Sequence, residues 1–215
     1  MSSALADLSV REMVGLTASD APAPGGGSIS ALAGSLGAAL TEMVAALTIG
    51  REKYRASEED MKKIREEAAS IREELLLAVD RDTESFSLYM AALSMPKNTE
   101  DEKAARRAAM QEGLKTAARV PLETARAALR LLPLARTAVV SGNENAVTDA
   151  LVGAMMARSA VLGAVLNCRI NLASIRDEDF TAEMGAEADR LVREALAEEQ
   201  QVFAAASLTA DFLKS

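Results

Sequence analysis

The sequence predicts an all-α fold: a single-domain bundle of about six helices over residues 1–215, some long and kinked, packed closely on small side chains. Three observations carry this reading. Alanine is abundant while aromatics make up 3% of the chain, a mixture that suits closely packed helices and not sheets. Apolar residues recur in steps of three and four, and no stretch alternates with the strand period of two. Proline- and glycine-bearing breaks separate these periodic stretches. With 215 residues, 49% of them hydrophobic, the chain can bury a sizeable core.

A first helix is expected from about Ala4 to Ala18, with Leu5, Leu8, Met13 and Leu16 apolar. "SDAPAPGGG" then forms a loop. Ser28 is the expected N-cap of a second helix reaching Ile49. The third starts at Ser57, where "SEED" sets Asp60 three residues after the cap, and runs to about Met95 before "MPKN". The fourth opens at Thr99 with Glu102 in the matching position, and Pro121 and Pro133 are expected to kink or divide it. A fifth runs from about Ala146 to Ile175, and a sixth follows "RDED".

The second helix holds one charged residue, Glu42, and is long enough to cross a bilayer. Its small side chains gain little from lipid, so the expectation is a buried central helix and no membrane partner. Gly26, Ser30, Gly34 and Ala38 recur every four residues. Such a stripe lets another backbone approach closely, within the bundle or across a dimer axis.

The net charge of −8 argues against nucleic acid as a partner. The segment "MSSALADLSVREMVG" lacks a basic region before an apolar core, so a cytoplasmic location is expected. Cys168 is the only cysteine, which excludes an internal disulfide and a multi-cysteine zinc site. The chain has no histidine, so Ser-His-Asp and Cys-His pairs and His-bound zinc are excluded. Proton transfer must rest on Asp, Glu, Lys, Tyr, Cys168 or a substrate. No metal site is apparent from spacing.

On the third helix Met61, Ile64, Ala68, Ile71, Leu75, Val79, Phe86, Met90 and Leu93 define an inward face, and Asp82 falls on it. A carboxylate there requires compensation. It is either the ion-pair partner of an arginine on another helix or a catalytic group facing a cleft. In "SGNENAVTDALVG", Asn143, Asn145 and Asp149 stand at a helix start. They are ordinary capping residues, or they read the edge of a flat heterocycle. Asn167 and Asn171 share a face with Asp149, but Asn167 lies roughly 27 Å along the helix at ~1.5 Å per residue. "GREKYR", with Lys53, is locally basic. It is a solvated helix end or a hold for an anionic tail, as are Lys97 and Arg169. Gly25, Gly26 and Gly27 admit close approach at a helix start, where free N–H groups attract anions. No Gly-Lys-Ser/Thr follows, so this is not a nucleotide P-loop.

Together these clusters resemble the cyclodeaminase/cyclohydrolase family of folate enzymes. The resemblance rests on "APAPGGGSISALAGSLGAAL", "LTIGREKY", "DRDTESFSLYMAALSMPKNTEDEKAARRAAMQEGLKTAARVPL" and "GNENAVTDALVGAMMARSAVLGAVLNCRINL", in that order over most of the chain. Arg51, Glu52, Thr148 and Cys168 depart from the usual pattern. The resemblance implies an all-α homodimer acting on a tetrahydrofolate derivative, with no further cofactor. The implied reaction is methenyltetrahydrofolate cyclohydrolase. The alternative is formimidoyltetrahydrofolate cyclodeaminase, and a non-catalytic helical scaffold is more remote. The absence of an attached transferase segment tilts the expectation toward the cyclohydrolase. The implied catalytic residues are Asp82 and, second, Asp149. Asn143 and Asn145 are the implied ligands of the pterin or the reacting bridge. Gly25, Gly26, Gly27, Ser28, Lys53 and Lys97 are the implied hold for the glutamate tail.

Overall fold

Why a stretch as small and apolar as residues 31–46 forms the central rod is visible in the computed structural model, which describes residues 4–209. Seven α-helices run α1 Val10–Thr17, α2 Gly26–Thr48, α3 Glu58–Leu93, α4 Glu100–Leu129, α5 Leu131–Ser141, α6 Val147–Leu172 and α7 Glu178–Ala205. Four short 3-10 turns and no strand accompany them among the described residues. α2 is wrapped by α3 on one side and α6 on the other, both antiparallel to it. Ser28 reaches the Val79 carbonyl and Ser35 the Arg72 carbonyl on α3. Along α6, Gly26 faces Asn167, Ser30 faces Gly163, Gly34 faces Ala160 and Gly37 faces Gly153.

The small-residue stripe therefore meets a helix of the same chain. A Cβ at residue 37 would lie 2.8 Å from the Gly153 carbonyl oxygen, and one at residue 153 would lie 3.0 Å from the Gly37 oxygen. Two backbones touch there, and only glycine on both helices allows it. α2 and the segment Glu144–Leu172 are long and apolar enough to cross a membrane, yet half of the most apolar window of each is buried inside the bundle. The main core lies between α4, α5, α6 and α7, around Leu122, Leu131, Leu132, Val161 and Leu191.

Several boundaries differ from the sequence expectation, each for a local reason. The first expected helix is split, because Ser9 caps α1 in a full capping box with Glu12. Gly25, not Ser28, is the N-cap of α2. Ser57 does precede α3, but a 3-10 turn over Glu52–Ser57 leads straight into it. That holds the Ser57 backbone away from the extended geometry a capping box needs. Thr99 and Glu102 form their capping box as expected. Pro121 lies inside α4, whereas the division comes at Arg130, just before Pro133. A proline ring collides with the carbonyl four residues earlier, and for Pro133 that is Leu129, the last residue of α4.

Candidate active site

α2 begins where α3 still has eleven residues to run, counted from Asp82 to Leu93. On α3 the inward face from Met61 to Val79 is buried, but Phe86 and Met90 are exposed, contrary to the periodic expectation. The reason is length: past Asp82 there is no α2 left to cover them, and α4 packs there, with Gly113 against Tyr89. The gap forms a cavity of about 240 Å³ lined by Gly25, Asp82, Thr83, Phe86, Asn167 and Asn171 with their neighbours.

Asp82 has no arginine partner among the described residues. Its Oδ2 accepts the Ser28 backbone N–H at 2.9 Å and lies 3.1 Å from Ser28 Oγ. Gly27 makes this possible, since a Cβ on residue 27 would run into the carboxylate. The glycine turn beside the apolar helix is thus explained by two visitors, Asp82 from α3 and Asn167 from α6. Asp82 takes the Ser28 N–H, so an internal carboxylate stands at the helix start where an anionic substrate tail was expected.

Burial raises the Asp82 pKa from its ordinary value, outweighing the two Ser28 hydrogen bonds that pull it down. The Ser28 hydroxyl is also 2.9 Å from the Val79 carbonyl oxygen. Its single proton can serve Asp82 when the carboxylate is charged, or Val79 when Asp82 itself carries a proton. Both protonation states are therefore accommodated. Among the described residues, Asp82 is the one charged residue lining the cavity. Such a site favours a cationic or N–H-rich group and can take and return a proton.

The second expected cluster lies at the opposite end of α2. Asn143 is buried, and its backbone N–H donates to Thr48 Oγ1 at 2.8 Å. Its side chain donates to the Leu47 carbonyl and accepts from the Asn145 N–H. The Asn143 side chain thus fastens the end of α2. Asn145 is exposed, and Lys53 is paired with Glu144. Asp149 sits two residues into α6 and makes no hydrogen bond or ion pair among the described residues. By helix rise this cluster is roughly 30 Å from Asp82 within one chain. Lys97 stands in the exposed α3–α4 connection, beyond roughly 16 Å of helix from Asp82.

Asn167 and Asn171, left without a role by the sequence, do line the Asp82 cavity. Their spacing of four on a largely apolar helix was the available signal. Cys168 between them points into the core, and burial raises its thiol pKa to about 11. It is not a proton-transfer group near neutrality. A thiol reagent should leave the native protein unlabelled and label it once denatured. Fast labelling of native protein would contradict this placement.

The family model described as formiminotransferase-cyclodeaminase matches residues 9–190. A methenyltetrahydrofolate cyclohydrolase from Methylorubrum extorquens is 40% identical over 186 residues, 86% of this chain and 89% of that protein. A formimidoyltransferase-cyclodeaminase from Gallus gallus is 40% identical over 80% of this chain, which spans 32% of that longer protein. Among solved structures, a formiminotetrahydrofolate cyclodeaminase from Thermotoga maritima superposes with a TM-score of 0.83 at 30% identity, covering 93% of this chain and 96% of that one. By the family match and by these near-complete alignments, the chain belongs to the formiminotransferase-cyclodeaminase family.

Proposed function

We propose that this chain is a methenyltetrahydrofolate cyclohydrolase, adding water to methenyltetrahydrofolate to give 10-formyltetrahydrofolate. The observation that carries the reading is a carboxylate of raised pKa in a cavity that no cation lines among the described residues. The methenyl bridge is an amidinium cation, which such a site attracts. Asp82 takes a proton from water as the water oxygen bonds to the bridge carbon. It returns that proton to N5 as the C–N5 bond breaks, while the remaining hydroxyl proton leaves to solvent and the carbon becomes the formyl carbonyl on N10. Ser28 holds Oδ2 throughout, so Oδ1 is the working oxygen.

The alternative is the cyclodeaminase reaction, in which N10 attacks a formimino carbon and ammonia leaves. The relatives from Thermotoga maritima and Gallus gallus favour it. The two reactions share a tetrahedral carbon held by N5, N10 and one further heteroatom, so Asp82 serves either. Identity of 40% to a cyclohydrolase over 86% of this chain and 89% of that protein supports the first. No metal enters the proposal: the chain lacks histidine, and no three Cys, Asp or Glu residues cluster as ligands among the described residues.

A homodimer belongs to the same proposal. α2 exposes Leu36, Met43 and Leu47, and neighbouring α6 exposes Val152, Met155, Leu166 and Ile170, the last two at 65% and 72%. Apolar stripes of this extent on adjoining helices suit a second copy. The cavity is smaller than the roughly 300–1,000 Å³ of a complete ligand site, so one chain holds only part of the folate. In a two-fold pair whose axis crosses these helices, the Lys53–Asn145 end of one protomer approaches the Asp82 end of its partner. Sedimentation should give twice the chain mass, and Leu166→Glu should give the monomer. A wild-type monomer would remove this part.

Near-ultraviolet absorbance of methenyltetrahydrofolate tests the reaction. The proposal expects the protein to speed its loss when it is supplied. Faster appearance from the formimino compound, without accelerated loss, would establish the alternative. Neither change, together with no thermal protection by folates, would leave the scaffold.

A further inference from the structure

Pro121 poses a problem that Asn171 answers. It lies buried inside α4 and has no N–H, so the Ala117 carbonyl lacks its helical donor. Asn171 Nδ2, from α6, donates to that carbonyl at 2.9 Å. Its second hydrogen goes to the Asn167 carbonyl at 2.8 Å. With both amide hydrogens committed to backbone on two helices, the orientation of the side chain is set. Oδ1 is left without a donor among the described residues, and Asn171 lines the cavity that holds Asp82.

We propose that Asn171 is a substrate-contacting residue whose Oδ1 accepts a hydrogen bond from the ligand, and that Pro121 positions it by leaving the Ala117 carbonyl open. The inference rests on the folate reading above. A reduced pterin presents several N–H donors along its edge, and an oriented acceptor opposite them discriminates against analogues that lack the donor. A proline inside a buried helix is otherwise a burden. Here it creates the anchor that holds one amide at a fixed angle to the cavity.

Pro121→Ala, Asn171→Ala and the double variant separate this from a purely structural role. The Pro121→Ala change restores an N–H to α4, so the Ala117 carbonyl regains its ladder partner without Asn171. The measurements are the melting temperature and the dissociation constant for 5-formyltetrahydrofolate. Asn171→Ala should melt lower and bind about tenfold more weakly, the size expected for one buried hydrogen bond to a ligand. The double variant should recover the melting temperature and keep the weak binding. A double variant that binds like wild type overturns the proposal, because Asn171 then served only the orphan carbonyl. If wild type binds 5-formyltetrahydrofolate but turns over neither folate, the enzymatic reading fails while these binding ratios still decide the Asn171 contact. If wild type does not bind it, both fail.

Discussion

Asp82→Asn protein folds, keeps the shape of the cavity and loses turnover by roughly a hundredfold or more, the range typical for removal of a general acid-base group. Asparagine can still accept from Ser28 through its carbonyl oxygen, so the fold has little to lose. What disappears is the charge opposite the cationic bridge and the ability to carry a proton. Stability should move the other way. The folded-state pKa of Asp82 is raised by burial. The stability linked to its protonation is thus fully present below the unfolded carboxylate pKa and is lost as pH rises through the folded value. At neutral pH the wild type carries that loss and the Asn variant does not. The variant should therefore melt higher at pH 7, with the difference shrinking as pH falls toward the ordinary carboxylate range. A variant with near-normal turnover would transfer the role to Asp149. A variant that melts lower at pH 7 and equally at acid pH would mean that the charged form is the one the fold prefers.

Gly34→Leu carries the largest expected effect on stability. A Cβ at residue 34 would already lie 2.9 Å from Leu75 Cδ1, 3.1 Å from Ala160 Cβ and 3.6 Å from Ala128 Cβ. Those neighbours belong to α3, α6 and α4, so the position is closed from three sides. Overpacking costs about 1–3 kcal/mol and more where backbones cannot separate. For a chain of this size 3 kcal/mol corresponds to roughly 6–12 °C of melting temperature. Gly185 on α7 is the control, since a Cβ there meets nothing within 4 Å. Gly185→Ala should be neutral or stabilising by up to about 1 kcal/mol. Equal melting of Gly34→Leu and wild type would contradict the packing of α2.

The helical class and the order of the long helices were legible because the chain states them locally. Thr99 with Glu102, and the gap at "SDAPAPGGG", act within a few residues. The placement of Asp82 on an inward face could also be read, since period alone puts it beside Val79. Its partner could not. Ser28 is far away in sequence, and its hydroxyl suits a cap as well as it suits a buried carboxylate. The choice of Gly25 as cap was decided by Asp82 claiming the Ser28 N–H, a tertiary event. The surroundings of the two asparagine pairs were hidden for the same reason. Asn143 and Asn145 stand at a helix start, where they attract attention, yet Asn143 is consumed in fastening α2. Asn167 and Asn171 look isolated on α6 until antiparallel packing sets Asn167 against Gly26. Pro121 and Pro133 are alike in sequence. Only the donor from Asn171 shows why α4 continues through the first.

The most direct test of the account compares a charged with an uncharged bridge. Methenyltetrahydrofolate and 5,10-methylenetetrahydrofolate share the bridged ring, but only the first is a cation. Their affinities, measured as competing ligands at neutral pH, isolate what the Asp82 carboxylate recognises. The account predicts that wild type prefers the cation by about tenfold or more, the ~1.4 kcal/mol or greater expected of a charge-assisted contact. In Asp82→Asn that preference should fall to about unity. Equal affinities in the wild-type protein, or an undiminished preference in Asp82→Asn, would contradict it.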